Sequence, residues 1–252
     1  MTRTLVLTAA IGVALAPAAS AGQIKGLFPL SMEKTAEAVV PQFERSSGHT
    51  VTIAYSTAGA VATKVRNGDA ADVAISAASA IDALAREGKI AAGSALPLAR
   101  VGIGMLVRKG AAKPDIGTVD QFKAALLAAR TIAYTDPALG GPAGIYVDKL
   151  MEQLGIGGEM DRKTKLAGPG AAVSTAVVNG EADIGFIMIN EIVADPRVEL
   201  VGPLPAALQS YTVFAAGVVA ASAQPQPARD LVTLLAAPAT LVVMKRLGFE
   251  AP

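Results

Sequence analysis

Cysteine and tryptophan are both absent from this 252-residue chain, and histidine occurs once, at His49. Without cysteine there are no disulfides to hold the fold and no thiolates to serve as nucleophiles or metal ligands. Stability must therefore come from a packed interior. Aromatic residues supply only 4% of the chain, so Ala, Val, Leu and Ile have to build that interior. The lone histidine follows Ser46-Ser47-Gly48 and reads as a surface turn residue rather than a metal ligand or a catalytic base. Net charge is lacking as well: 22 Lys and Arg balance 21 Asp and Glu, with no basic run. So balanced a chain carries no electrostatic footprint for nucleic acid or an anionic membrane, and neither is expected as a partner.

Familiar phosphate motifs are missing too. Gly102-x-Gly104 lies inside a strand-like run with no helix start, which a dinucleotide-binding turn requires. Gly140-Gly141 is not followed by the Lys-Ser or Lys-Thr of a phosphate-binding loop. No nucleophile motif has a histidine nearby, so no cofactor and no metal are expected.

What is present begins with a leader. Met1-Thr2-Arg3, an apolar run from Thr4 to Ala16 and Pro17-Ala18-Ala19-Ser20-Ala21 together describe a secretory signal peptide cut after Ala21. The run is too short to span a bilayer. No cysteine follows it, so no lipid anchor is expected there. A soluble periplasmic protein, acting as a monomer, is the expectation.

From residue 22 onward, strand-like and helix-like runs alternate, which predicts an α/β protein with mostly parallel sheet. The strand at Thr50 to Tyr55 alternates polar and apolar β-branched residues, and Val61 and Val65 begin a helix that Asn67-Gly68 stops. Between them Ser56, Thr57 and the small Ala58-Gly59-Ala60 bring hydroxyls, free backbone N–H groups and a helix dipole to one place. A simple helix cap is the plainer use of Ser56 or Thr57. The same arrangement occurs upstream, where Pro29-Leu30-Ser31 hands a first strand over to a first helix. Ala143 and Gly170 also fall at helix starts, after the Gly-rich turns Gly140–Gly144 and Ala167–Gly170. In open α/β sheets ligands sit beyond the carboxyl ends of strands, which is where all of these residues lie. None of the stretches around them contains Lys or Arg, so dipoles rather than charges would have to hold an anion. Arg100, beside the Gly102–Gly104 run, is the one basic residue that the resemblance given next would place near a ligand cleft, with a salt bridge on the hinge surface as its alternative role.

In order along the chain, Pro29-Leu30-Ser31-Met32, Gln42-Phe43-Glu44, Gly48-His49, Ser56–Ala60, Gly68–Val73, Asp136-Pro137, Pro142-Ala143-Gly144, Gly180–Phe186 and Gly248-Phe249-Glu250 resemble the periplasmic solute-binding proteins of ABC importers, molybdate-binding type. The resemblance implies a type II periplasmic-binding-protein fold: two lobes, each with a mostly parallel sheet, joined by two crossing strands and closing on a ligand. The crossings would run around Gly102–Gly104 and Thr212–Ala216, giving lobe I as residues 22–103 with 209–252 and lobe II as residues 104–208. It implies a small anionic ligand, an oxyanion such as molybdate or tungstate or a small carboxylate, and the membrane subunits of an ABC importer as partner. Ser31 and Thr57, or Ser56 beside it, match ligand hydroxyls of the family. Ala143 and Gly170 fall where the family offers backbone N–H groups. Met188 falls on a ligand tyrosine and cannot donate a hydrogen bond.

The chain also resembles periplasmic aconitate isomerase, around Ala133-Tyr134-Thr135-Asp136 and Gly180-Glu181-Ala182. That alternative implies an allylic proton shift and needs a base. Tyr55, Tyr134, Tyr146, Asp136 and Glu191 are the candidates. Tyrosine is a poor base near neutral pH, Asp136 before Pro137 is a turn-former, and Glu191 is expected to face solvent.

Overall fold

A computed structural model describes residues 22–252; the expected leader lies outside the described residues. The first half of the chain runs β1 (Gln23–Pro29), α1 (Glu33–Ser47), β2 (Thr50–Ser56), α2 (Ala58–Asn67), β3 (Val73–Ala77) and α3 (Ala78–Arg86). A long strand, β4 (Leu96–Arg108), leads into α4 (Val119–Ala128), β5 (Ile132–Thr135), α5 (Pro142–Gln153) and α6 (Gly157–Met160). Then follow β6 (Thr164–Ala167), α7 (Gly170–Val178), β7 (Ile184–Met188), α8 (Ile189–Ala194) and β8 (Val198–Pro203). The chain ends with β9 (Tyr211–Val218), α9 (Pro225–Leu235) and α10 (Pro238–Arg246). Among the described residues no single helix is long and apolar enough to cross a membrane.

Local chemistry sets these bounds. Ala36, Val39, Val40 and Phe43 bury one stripe of α1, which Gly48 ends in the left-handed conformation at φ 74°. Thr118 and Gln121 form a reciprocal capping box at the start of α4.

The strands lie in the order β2-β1-β3-β9-β4-β7-β5-β6, with β8 also on β4. This is the α/β architecture expected, and its parallel pairs, β1 with β2 and β3, and β5 with β6 and β7, are the outer ones. The antiparallel pairs all involve β4 or β9, which lie side by side in the middle of the order. β4 pairs with β9 from Leu96 to Gly102 and with β7 from Ile103, so one strand serves both sheets. All of β9 pairs on the β3 side of that change, so the chain's return falls in residues 204–210, just ahead of the Thr212–Ala216 run.

Gln209 sits at this junction. Its amide accepts from Ile103 N–H and donates to Ile103 C=O, both at 3.0 Å, where β4 exchanges partners. A continuous apolar core runs through both sheets, from Phe28 and Phe214 to Phe122 and Phe186. Asp72 pins three segments: it accepts from Lys25 N–H (2.8 Å), Ser222 Oγ (2.7 Å) and Ala223 N–H (3.1 Å). His49 is buried, not a surface residue as its turn position suggests; Gly22 N–H donates to its Nδ1 at 3.0 Å, tying down the start of β1.

Candidate functional site

The strand-to-helix turns of the two halves meet in one cleft. The first half contributes Leu30 and Ser31 after β1 and Ser56, Thr57 and Ala58 after β2. The second half contributes Thr135 at the end of β5, Gly141–Gly144 at the start of α5, Gly170 at the start of α7, and Met188 and Glu191 after β7. The geometry follows from the parallel pairing: strands that run the same way bring their carboxyl ends, and the helix starts behind them, to one edge.

The chain has few obligations for its polar groups here. The first turn of a helix leaves N–H groups without intrahelical partners, and α5 and α7 both begin at the cleft, at Pro142 and Gly170. Proline has no N–H to lose, so Ala143 and Gly144 carry the free donors of α5. Ser31, Ser56 and Thr135 line the cleft with hydroxyls that are not committed to a hydrogen bond with another described residue. Thr57 differs. Its Oγ1 accepts from Ala60 N–H at 3.2 Å as the cap of α2 and donates across the cleft to Leu139 C=O. Beside it Gly59 N–H donates to Gly140 C=O at 3.2 Å, a second link between the halves. Asn190 makes a third, its Nδ2 donating to Ser31 C=O at 2.6 Å.

Six residues picked from the sequence thus share one cleft: Ser31, Ser56, Thr57, Ala143, Gly170 and Met188. Arg100 does not join them. Its guanidinium donates to Glu250 Oε2 at 2.8 and 3.0 Å and lies 4.5 Å from the ring centre of Tyr211, because an exposed strand position next to the C-terminal segment offers a carboxylate and an aromatic face. Of the two roles the sequence offers Arg100, the structure shows the salt bridge and not a place in the cleft.

Among the described residues no Lys or Arg lines the cleft, and Glu191 is the one ionisable side chain that does. It was expected to face solvent. The structure instead starts α8 at Ile189, turning Glu191 inward so that its Oε2 lies 2.4 Å from where a Cβ on Gly170 would be. Only glycine leaves room for that carboxyl. Burial pushes the Glu191 acid up to about 7, against a smaller downward pull from the Met188 N–H.

The other candidate bases are elsewhere or occupied. Tyr134 OH donates to Asp148 Oδ1 at 3.0 Å, and burial raises its pKa further. Tyr146 OH donates to Leu208 C=O at 2.8 Å. Burial, with Glu33 and Glu37 nearby, pushes Tyr55 up to about 12. Asp136 caps its own turn by accepting from Ala138 N–H at 2.9 Å. Thr135 is a lining residue the sequence did not mark for this cleft, and Glu191, a candidate base in the sequence, was set aside there as solvent-facing. The boundary between β7 and α8 was the missing signal, since Asp183 to Ile189 reads as one uninterrupted strand.

A model of the family described as bacterial extracellular solute-binding protein matches residues 27–250. An aconitate isomerase of a Pseudomonas species is 32% identical over 208 residues, covering 80% of this chain and 78% of that protein. The molybdate-binding protein ModA of Azotobacter vinelandii is 28% identical over 198 residues, or 76% of this chain and 75% of the relative. The solved periplasmic molybdate-binding protein of Azotobacter vinelandii superposes with a TM-score of 0.76 at 22% identity, over 91% of this chain and 99% of that one.

Proposed function

The chain belongs to the bacterial extracellular solute-binding protein family, and from that premise we propose that it captures a small anion in the cleft and presents it to the membrane subunits of an ABC importer. The reading places the protein in the periplasm, exported by the leader at residues 1–21. The observation that carries it is the meeting of uncommitted hydroxyls and helix-start N–H groups from both halves in a cleft without a cation. A buried anion is costly unless each oxygen is hydrogen-bonded, and such a set of donors meets that need without a counter-charge. Ser31 and Ser56 are the specific hydroxyl contacts. Thr57 serves closure, because its hydroxyl already links α2 to Leu139. Oxyanions such as molybdate and tungstate, and small organic carboxylates, are the ligand classes that fit. Met188, which cannot donate a hydrogen bond, counts against molybdate itself.

A melting-temperature screen against molybdate, tungstate, sulfate, phosphate and di- and tricarboxylates, aconitates among them, tests this. A true ligand raises the melting point in proportion to its concentration over Kd. No response to any of these anions contradicts the proposal.

A second reading is favoured by one observation, the lone carboxyl in the cleft. The relative at 32% identity is an aconitate isomerase, and a proton-accepting group facing a bound tricarboxylate is what that chemistry needs. Incubation with cis- and trans-aconitate separates the two, since a binding protein leaves the isomer ratio alone.

A further inference from the structure

Resting on capture of an anion in this cleft, we infer that Glu191 is an acid–base residue that exchanges a proton with a carbon next to a carboxylate of the bound ligand. Three features carry the assignment. Among the described residues Glu191 is the sole ionisable side chain lining the cleft, where every other polar group is a hydroxyl or a backbone amide. Its carboxyl occupies the space that the absent side chain of Gly170 leaves, at the start of α7. And it has no cation to neutralise it. The charged groups that border a second cavity together with it are Glu33 and Lys34 at the start of α1 and Asp195 after α8, while β4 and β8, which also pack on α8, carry Arg100, Arg108 and Glu199, none of which lines either cavity. Lys34 is taken by Glu37 at 2.7 Å and Asp195 by Arg197 at 2.7 Å. A structural carboxylate would be expected among these ion pairs; Glu191 stands outside them.

The surroundings suit the task. An acid that titrates near neutral pH is both a usable base and a usable acid there. Removing a proton from carbon leaves negative charge that spreads onto the neighbouring carboxylate, and the free N–H groups of α5 and α7 and the hydroxyls of Ser31 and Ser56 are in place to receive it. The second cavity, which Glu191 and Ser31 also border, gives the acid a side through which its proton can equilibrate with water.

For a ligand with a methylene between a carboxylate and a carbon–carbon double bond, the step balances without a redox partner. The Glu191 carboxylate takes a methylene proton: the C–H bond breaks, an O–H bond forms, and the electron pair spreads over the three-carbon unit. The acid then returns the proton to the far carbon, and the double bond moves by one position. A ligand with only one acidic position would instead exchange its hydrogen for solvent hydrogen.

The test is proton NMR in D₂O with cis- and trans-aconitate as probes, alongside the melting temperature with the same compounds. The wild-type protein is expected to bind an aconitate and incorporate deuterium at its methylene. Glu191→Gln keeps the shape and is expected to lose at least about 100-fold in kcat for exchange while still melting higher with the ligand. Glu191→Asp, with the carboxyl drawn back, should retain part of the exchange, and kcat/KM for exchange in the wild type should rise through about pH 7. Binding without exchange in the wild type, or full exchange in Glu191→Gln, overturns the assignment and leaves anion capture standing. No melting response to an aconitate or to any other anion overturns capture, and this assignment with it.

Discussion

At the scale of single residues, the cleft is defined by what its side chains leave undone. Ser31 and Ser56 present hydroxyls with no hydrogen-bond partner among the described residues, so each is expected to bind an anion oxygen directly. Ser31→Ala or Ser56→Ala should weaken binding of the ligand found by the melting screen by about 1.5–3 kcal/mol each, read by titration calorimetry. Unchanged affinity in both variants would remove these hydroxyls from the site. Glu191 yields a prediction that needs no ligand. An acid whose pKa is raised on folding binds its proton more tightly in the native state. Folding therefore loses stability as pH climbs from the ordinary carboxylate range, near 4.5, to about 7, and the loss is complete above that. Glu191→Gln removes this dependence, so it should match the wild type at pH 4–5 and exceed it by roughly 2–3 kcal/mol at pH 8. Denaturant unfolding at the two pH values checks it; a variant less stable at pH 8 contradicts it.

At the scale of elements, closure depends on how near α2 and the turn ahead of α5 can come. A Cβ on Gly59 would stand 2.8 Å from Gly140 C=O and 3.1 Å from Gly140 Cα, against backbone that cannot swing away. Gly59→Ala should hold the halves apart and cost roughly 1–3 kcal/mol of ligand affinity with little loss of melting temperature in the unliganded protein. Calorimetry beside a thermal melt separates the two effects. Away from the cleft, Asp72 joins β1, β3 and the segment before α9 through partly buried bonds. Asp72→Ala should cost on the order of 3 kcal/mol of stability, read by denaturant unfolding, without altering the cleft. Most of these elements were legible in the sequence. The turns after β1 and β2, and the starts of α5 and α7, could be placed because hydroxyl, glycine and proline mark the change from period two to period 3.6. What could not be read was α8. Met188 and Ile189 are both apolar, so nothing local says that the strand has stopped, and packing against Gly170 rather than propensity decides where Glu191 points. β6, only four residues long, was missed for the same want of signal.

At the scale of the whole molecule, β4 makes the two halves one protein, and Gln209 holds the place where it changes sheets. A ligand between the halves therefore meets donors fixed to two bodies, which is what lets closure and binding reinforce each other. Strand and helix alternation foretold the α/β class, and the ordered set of short motifs foretold the family. His49 was misplaced because a partner distant in sequence, Gly22, decides its surroundings, and Glu250, equally distant from Arg100, decides which of its two roles Arg100 takes. The central claim is that dipoles from both halves grip one anion. A crystal structure with the anion that most raises the melting temperature tests it most directly. The account predicts density between Ser31 and Ser56 on one side and the N–H groups of Ala143 and Gly170 on the other; an anion bound elsewhere, or touching only one half, would contradict it.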